Sequence, residues 1–417
     1  MSTRRRLPLI SLTVFTSLFM TANSALAQHE PASGGGTIGG GTISTGRPTS
    51  KPASKPANRP TSTGTKPTSS TTPRRPTSTT SGARTTTGNR PTTSRPTNNA
   101  AAENYYQQGE ALYNQQKYKE ALDFYLKAVD ANPSMASALY RIGWIYNDEE
   151  NYDDALQYLQ RVTSMQPTNA AAFFELGYAN KQLEHYDQAL KAFQQAARIK
   201  PAYAEAYYQI GWIYNDQKNY DDAVSNLKLA LENKSGYTQA HNELGYAYRN
   251  LGRYSEAIEE YQEALRLDPN MALAYLGLGD VYYYNTKQIR DAADAYKKGL
   301  AIKPDNATAF YNLGWCYNDM ERYSEAIDAL KNAIRLEPEY AEAHNELGYA
   351  LHQLRRYPAA VQEYQTAIRL KTNYASAHYN LGMSYIALNN RNAALEQYRI
   401  LQGIDNARAT KLFNQIK

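Results

Sequence analysis

The chain has 417 residues, a formal net charge of +5, 37 tyrosines and one cysteine. A single cysteine excludes a disulfide within the chain, and the sequence has no cysteine pair, HExxH stretch, serine-histidine-aspartate elbow or phosphate-binding glycine loop. We therefore expect a protein that is not an enzyme and that needs neither a cofactor nor a metal.

The first 27 residues have the pattern of an export signal. Three arginines at positions 4–6 precede an apolar run over residues 7–20, and a small-x-small motif ends at Ala27. No cysteine follows Ala27 to carry a lipid, so we expect cleavage there and a periplasmic or secreted bacterial protein without stable membrane insertion. The alternative is a chain that stays anchored in the membrane by an uncleaved N-terminal segment.

Residues 28–100 consist mainly of Gly, Ser, Thr, Pro, Lys and Arg, a composition that predicts a disordered linker. A unit of one basic residue, proline and two small residues recurs at 47–50, 51–54, 59–62, 66–69, 75–78 and 90–93. The linker carries ten Lys or Arg against one Glu, a net charge of +9, whereas residues 101–417 carry 32 basic and 39 acidic side chains, a net charge of −7. This contrast favours contact within the molecule or capture of an acidic polymer. A solubilising spacer, or a stalk modified on Thr and Ser, is the simpler alternative.

Beyond the linker, one glycine recurs every 34 residues, with a single gap of 35. Alanine stands 12 residues after each glycine, or 13 after Gly279, and a tyrosine nine residues after it and a proline about 24 residues after it are usual. A repeat of this length is one supersecondary unit that buries its apolar face only against its neighbours. The nine glycines are Gly109, Gly143, Gly177, Gly211, Gly245, Gly279, Gly314, Gly348 and Gly382.

Each unit has the apolar pattern of two short helices. In the second unit, Leu139 and Ile142 share a stripe with Gly143 on the first helix, and Ala155 and Leu159 form the stripe of the second helix. The glycine and alanine are small, which predicts a close approach of the two helices. The proline ends the second helix and opens the turn into the next unit.

At these positions the sequence resembles the tetratricopeptide repeat, whose signature is an aromatic residue or leucine, then leucine-glycine, tyrosine, alanine, an aromatic residue, alanine and proline. The resemblance covers residues 102 to about 408. It implies an all-α, right-handed solenoid of stacked helical hairpins, with nine repeats over residues 101–408. Ser235 and Thr372 in place of the proline, and Ile289 and Arg391 in place of the tyrosine, affect single turns only.

Residues 405–417 are predicted to form a capping helix at the end of the stack. Asp405 has the side chain of a helix N-cap. Leu412, Phe413 and Ile416 form an apolar side that we expect to cover the last repeat.

The resemblance further implies that the first helix of each repeat lines a concave groove. Residues one after, three before and four to five after the glycine lie about 130° around this helix from the buried stripe. All three tryptophans of the chain stand one residue after a glycine. The predicted groove residues are Tyr140, Trp144, Asn147, Asp148, Tyr178, Lys181, Tyr208, Trp212, Asn215, Asp216, Tyr246, Arg249, Tyr311, Trp315, Asn318, Asp319, Tyr349 and His352.

Two interpretations of this aromatic face are open. The rings can pack edge-on against neighbouring repeats, or they can form a contiguous exposed surface of the kind that usually marks an interaction site. We favour a noncatalytic protein-interaction scaffold of the bacterial envelope or exterior, which binds an extended peptide or protein segment through the rings and through Asn147, Asn215 and Asn318. The alternative is a glycan-binding component of polysaccharide assembly or export. We expect no nucleic-acid partner, because the repeat region is acidic.

Four further side chains that often carry chemistry are expected to be core residues here. Cys316 stands two residues after Gly314, where the other repeats carry small or aliphatic residues or serine. His241, His344 and His378 stand four residues before their glycines, in the buried stripe.

Overall fold

The computed structural model describes residues 98–417. The predicted signal peptide of residues 1–27 and the predicted linker up to residue 97 lie outside the described residues. The first helix begins at Asn99, so residues 99 and 100, which were assigned to the linker, are its first turn. Asn98 caps this helix, because its side-chain oxygen accepts a hydrogen bond from the backbone N–H of Ala101 at 3.1 Å.

Residues 98–417 form an all-α solenoid of 19 α-helices and one π-helical turn, with no strand in this range. Consecutive helices pair into nine hairpins, and a last single helix follows the ninth. No helix among residues 98–417 is both long and apolar enough to cross a membrane. The helices are α1 (Asn99–Tyr113), α2 (Tyr118–Ala131), α3 (Ala136–Asp148), α4 (Tyr152–Met165), α5 (Ala170–Gln182), α6 (Tyr186–Ile199), α7 (Ala204–Asp216), α8 (Tyr220–Asn233), α9 (Thr238–Asn250), α10 (Tyr254–Leu267), α11 (Ala272–Asp280), the π-helical turn Val281–Asn285, α12 (Ile289–Ile302), α13 (Ala307–Asp319), α14 (Tyr323–Leu336), α15 (Ala341–Gln353), α16 (Tyr357–Leu370), α17 (Ala375–Ala387), α18 (Arg391–Ile404) and α19 (Asn406–Ile416).

The repeated glycine is the contact point of each hairpin. A β-carbon built on Gly143 would lie 2.6 Å from Cγ of Leu159, and one built on Gly177 would lie 2.8 Å from the ring of Phe193. These distances are shorter than any van der Waals contact, so the second helix occupies the space that a side chain would need. The prediction that the glycine permits a close approach is confirmed. Leu139, Ile142, Ala155 and Leu159 of the predicted stripes are fully buried.

The turn inside each hairpin contains a left-handed residue at one fixed position, seven residues after the glycine or eight after Gly279. Only one of the nine is a glycine, Gly252 with φ of 75°. The other eight have φ between 57° and 62°, although L-residues rarely adopt this conformation. They are Gln116, Glu150, Glu184, Lys218, Lys287, Glu321, Arg355 and Asn389. The sequence gave no signal for this turn, because the residue type varies from repeat to repeat.

The single 35-residue spacing is accommodated by the π-helical turn. In the sixth repeat, residues Val281–Asn285 form a π-helix, and the N–H of Thr286 donates to the carbonyl oxygen of Val281, five residues earlier, at 3.0 Å. A π-helical turn takes one residue more than an α-helical turn, so the extra residue widens the helix locally. The next hairpin therefore keeps its register with the rest of the stack.

Helix α19 packs against the end of the ninth hairpin. The carboxylate of Asp405 accepts a hydrogen bond from the backbone N–H of Arg408 at 2.9 Å, and Leu412 and Ile416 are buried. A β-carbon on Gly382 would lie 2.5 Å from Leu412. In the ninth repeat the space beside the glycine is thus filled by α19 and not by the second helix of the hairpin. The ring of Phe413 stacks on Tyr398, with the centroids 4.9 Å apart.

Candidate functional site

The three tryptophans lie on the first helices α3, α7 and α13, and all three are half-buried. Trp144 packs edge-on against Tyr113 and Tyr118 of the preceding repeat, with ring centroids 5.3 and 5.4 Å away. Trp315 lies beside Tyr283 at 5.5 Å and Tyr311 at 5.7 Å. The indoles are therefore part of the packing between repeats, but each retains an exposed part.

The tyrosines at the tryptophan offset in the intervening repeats pack in the same manner. Tyr178, Tyr246 and Tyr349 are half-buried, and each meets a tyrosine of the preceding repeat edge-on at 6.2 to 6.3 Å. Edge-to-face packing between repeats, one of the two interpretations of this face, is thus present along the groove. It coexists with partial exposure of the rings, so the face remains accessible to a ligand.

Two of the predicted groove tyrosines are not exposed. Tyr208 and Tyr311 are buried, at 7% and 6% exposure, whereas Tyr140 is half-buried. The reason is a second aromatic pairing, in which Tyr237 and Tyr340 of the following loops cover them at centroid distances of 4.9 Å. The expectation that the position three residues before the glycine faces the groove is corrected for these two repeats.

The three predicted groove asparagines are also buried, at 2% to 5% exposure. Nδ2 of Asn147 donates to the backbone carbonyl oxygen of Glu175 at 3.1 Å and to its Oε2 at 2.9 Å. Asn215 makes the same pair of bonds to Glu243 at 3.0 Å each, and Asn318 makes them to Glu346 at 3.3 Å. The amide N–H groups were predicted to meet a ligand, but they join one repeat to the next.

The amide oxygens of these asparagines have no hydrogen-bond partner among the described residues. Oδ1 of Asn147, Asn215 and Asn318 is buried and unpaired at the same position of three repeats. A buried carbonyl oxygen without a donor costs free energy, and its recurrence at equivalent sites calls for an explanation. An unpaired acceptor of this kind is a point where a donor group can bind.

The corresponding side chains of the intervening repeats likewise reach the following repeat. Lys181 donates to Oε1 of Gln209 at 2.8 Å, and its Nζ lies 4.0 Å from the centroid of the Trp212 ring. Arg249 pairs with Asp280 at 2.6 Å. Nδ1 of His352 lies 2.8 Å from the hydroxyl of Ser384. These predicted groove residues are therefore partnered within the repeat stack.

The glutamates that accept from the asparagines were not among the predicted site residues. They stand two residues before the glycine, and the pairing follows one rule, in which an asparagine meets the glutamate 28 residues later. The recurrence of Asn147 with Glu175, Asn215 with Glu243 and Asn318 with Glu346 is visible in the sequence. The period of 34 residues hid it, because the two partners belong to different offsets.

Burial makes these carboxyls difficult to ionise. Loss of surrounding water raises the pKa of Glu175 to about 7, against the hydrogen bond from Asn147, and the neighbouring carboxylate of Asp148 also raises it. The pKa of Glu346 is raised to about 7 for the same reasons, with Asp319 as the neighbour. The pKa of Glu243 is raised as well, although Lys181 opposes the shift. Burial lowers the pKa of Lys181 to about 8, while Glu243 and Asp216 favour its charged form.

The aspartates of the predicted groove complete this acidic surface. Asp148 and Asp319 are exposed and Asp216 is half-exposed. Burial raises the pKa of Asp319, while a hydrogen bond from the hydroxyl of Tyr283 at 2.7 Å and the charge of Lys287 lower it. The groove thus combines partly exposed indoles with carboxylates of both the first helix and the next repeat.

Cys316 and the three histidines lie in the core, as predicted. Cys316 is fully buried, and burial raises the pKa of its thiol. His344 and His378 are 8% and 4% exposed, and His241 is half-buried. Within residues 98–417 no group of three or more His, Cys, Asp or Glu side chains is arranged to hold a metal ion.

Comparison with protein families gives matches along most of the described chain. Models described as "Tetratricopeptide repeat" match residues 106–170, 140–182, 174–238, 286–345, 319–375 and 375–407, and a model described as "TPR repeat" matches residues 245–285. No curated protein matches the sequence.

Among solved structures, the chain is similar to MamA, at 27% identity over 41% of this chain and 94% of MamA, with a TM-score of 0.39. It is similar to YrrB, titled "a TPR protein with an unusual peptide-binding site", at 25% identity over 45% of this chain and 97% of YrrB, with a TM-score of 0.43. It is also similar to the C-terminal part of a TPR repeat-containing protein from Cytophaga hutchinsonii, at 20% identity over 58% of this chain and 99% of that chain, with a TM-score of 0.48.

Proposed function

Because this chain belongs to the tetratricopeptide repeat family, we propose that it is a noncatalytic protein-interaction scaffold of the bacterial envelope or exterior. Its ligand is an extended peptide or protein segment, and its binding surface is the groove lined by the first helices. The assignment to the envelope or exterior follows from the export signal in residues 1–27.

The observation that carries this proposal is the row of partly exposed indoles. Trp144, Trp212 and Trp315 are the only tryptophans of the chain, and all three occupy one offset on first helices. Their buried edges are fixed by the neighbouring repeats, so the exposed parts are held rigid before a ligand arrives. Rigid aromatic anchors are the residues that most often dominate binding free energy in protein interfaces.

An extended peptide suits this surface better than a globular partner would. The groove residues recur once per repeat, so a chain that runs along the solenoid meets one ring after another. The indole faces can hold proline rings or aliphatic side chains, and the carboxylates beside them favour basic groups on the ligand.

The test is a peptide array and a panel of envelope glycans, probed with the full chain and with the single variants Trp144→Leu, Trp212→Leu and Trp315→Leu. We expect peptides to bind, and each substitution to weaken binding by roughly tenfold or more, as removal of an aromatic anchor does. Tyr158→Leu is the matched control, since this half-buried ring of α4 contacts Tyr146 at 5.7 Å away from the groove. Binding of glycans alone would favour the polysaccharide alternative, and binding that ignores all three tryptophans would refute the groove.

A further inference from the structure

An acidic site recurs three times along the groove, each time beside a tryptophan. Each site pairs an aspartate four residues after the tryptophan with the glutamate of the next repeat that accepts from the asparagine. The sites are Asp148 with Glu175, Asp216 with Glu243, and Asp319 with Glu346. They occupy identical offsets, so a difference between them has meaning.

The middle site contains a cation that the chain itself supplies. Lys181, from the preceding repeat, places its ammonium 4.0 Å from the centroid of the Trp212 ring, and Asp216 and Glu243 both favour its charge. This arrangement shows the chemistry that such a site holds, namely an ammonium between an indole face and two carboxylates.

The two outer sites have tyrosine where the middle site has the lysine. The equivalent positions are Tyr113 and Tyr283. Among the described residues, the only charged group found to act on Glu175 is Asp148, and the only one found to act on Glu346 is Asp319. In each outer site two carboxyls therefore raise one another's cost of ionisation without a cation on the glutamate.

Each outer site also presents the unpaired amide oxygen. Asn147 and Asn318 are 5% and 4% exposed, and Oδ1 of each has no partner among the described residues. Their Nδ2 atoms bond to the carboxylates of Glu175 and Glu346, so the unpaired oxygen lies beside the glutamate. Asn215 of the middle site has the same unpaired oxygen, since Lys181 donates to Gln209 instead. An ammonium or guanidinium carries several N–H donors and would satisfy both oxygens.

Resting on the proposed function of the same groove, we propose that the two outer sites bind lysine or arginine side chains from the chain's own N-terminal segment, residues 47–93. This segment contains the six units of basic residue, proline and two small residues. Its charge is opposite to that of the repeats, +9 for residues 28–100 against −7 for residues 101–417.

The length of the segment is compatible with this contact. It precedes α1 directly, and the groove begins in the repeats that follow. A flexible chain of about 50 residues has an r.m.s. end-to-end distance of roughly 35 to 42 Å, and prolines extend it. The proline after each basic residue lacks an N–H and offers a rigid ring for the indole, so a unit needs no backbone donor to lie in the groove.

Zero-length coupling with a carbodiimide tests the proposal in the full chain. The reagent joins a lysine amine to a carboxyl in direct contact, with loss of water, and the segment supplies Lys51, Lys55 and Lys66. At low salt we expect these lysines to couple within the molecule to carboxyls of the two outer sites, as identified by mass spectrometry. Coupling spread evenly over exposed carboxyls of the second helices would overturn the proposal.

A charge-matched pair of variants sharpens the test. Asp148→Asn with Glu175→Gln should reduce coupling at the first site at least tenfold, whereas Asp123→Asn with Glu259→Gln, which removes two exposed carboxyls of second helices, should leave it unchanged. Equal effects of the two pairs would show that only net charge matters and would overturn the proposal. Far-ultraviolet circular dichroism and the melting temperature establish that each variant is folded.

Binding in trans provides an independent readout. A labelled synthetic peptide of residues 47–69 is titrated into a full-length variant in which the ten basic residues of the linker are glutamine. We expect binding that weakens at least fivefold with Asp148→Asn and Glu175→Gln, and that weakens with added salt. No binding of this peptide, while an array peptide still binds through the tryptophans, would refute this inference and leave the proposed function intact. Loss of both would refute both.

Discussion

The repeated glycines let two helices meet across a single large side chain. At Gly143 the neighbour is Leu159, with a β-carbon distance of 2.6 Å. Gly143→Ala should destabilise the protein by roughly 1 to 3 kcal/mol, because a methyl group must displace a packed side chain. The urea midpoint followed by circular dichroism measures this.

Gly403 is the matched control for that substitution. It lies in α18, is exposed and has no heavy atom within 4 Å of an added β-carbon. Gly403→Ala should stabilise by roughly 0.5 to 1 kcal/mol, since alanine loses less conformational freedom in a helix. If both substitutions shift the midpoint in the same direction, close helix packing is not what the repeated glycine provides.

Two buried histidines form hydrogen bonds that only the protonated ring can make together. Nδ1 of His241 lies 2.6 Å from Glu260 and its Nε2 lies 3.0 Å from the carbonyl oxygen of Ser235. His344 repeats this pattern with Glu363 and Pro338. A neutral imidazole has one N–H, whereas both partners here are acceptors. The charged form is therefore part of the native packing.

This geometry predicts a pH-dependent stability. Burial lowers the pKa of His241, but the bonds to Glu260 and Ser235 outweigh burial and raise it overall. A raised folded-state pKa stabilises at pH values below the unfolded pKa of about 6.5, and the contribution is lost as pH rises through the folded value. Glu260→Gln should therefore lower the urea midpoint more at pH 5.5 than at pH 8.5. His378 offers the converse, because its partner is the neutral Gln397 at 2.7 Å, and Gln397→Glu should introduce the same dependence. Equal effects at both pH values would contradict the charged pair.

Each hairpin turn stores conformational strain at one residue. Glu150 has φ of 60°, and a left-handed L-residue costs roughly 1 to 2 kcal/mol relative to the right-handed form. Glu150→Gly should raise stability by roughly 0.5 kcal/mol, since the relief is partly offset by the greater freedom of glycine when unfolded. Gly252→Ala is the opposite change in an equivalent turn and should destabilise. Urea midpoints of the two variants test this, and a loss of stability in Glu150→Gly would contradict it.

Helix α19 closes the stack by covering the ninth hairpin. Deletion of residues 405–417 removes Leu412 from Gly382 and exposes Leu401, which is now fully buried. Hydrogen exchange should then show lost protection in α17 and α18 and unchanged protection in α1 and α2, because each repeat contacts only its neighbours. Uniform loss along the whole solenoid would contradict this local account.

At the level of elements, the sequence predicted the hairpins but not how the chain turns within them. Glycine, alanine and the apolar stripe are dictated by packing, so they recur and can be read. The left-handed residue at Glu150 or Arg355 is dictated by backbone geometry, which many side chains tolerate, and it leaves no pattern. The π-helical turn after Gly279 had a signal in the spacing of 35, because one extra residue must be placed somewhere.

At the level of the whole molecule, the residues predicted to face the groove lie on first helices, but many serve the stack. The 3.6-residue period locates a face, and it does not reveal which atoms of that face the next repeat covers. Tyr208, buried under Tyr237, and Asn215, bonded to Glu243, needed the relative placement of two repeats. The tryptophans remain the accessible part, since an indole is large enough both to pack and to stay exposed.

The central claim, that these indoles form the binding surface, has a direct test in the fluorescence of the chain. All three tryptophans lie in the groove, so tryptophan emission reports on this surface and on no other. With a peptide selected on the array, we predict a shift of the emission and protection from acrylamide quenching that saturates with the same dissociation constant as binding. A peptide that binds at full occupancy without changing emission or quenching would contradict the account.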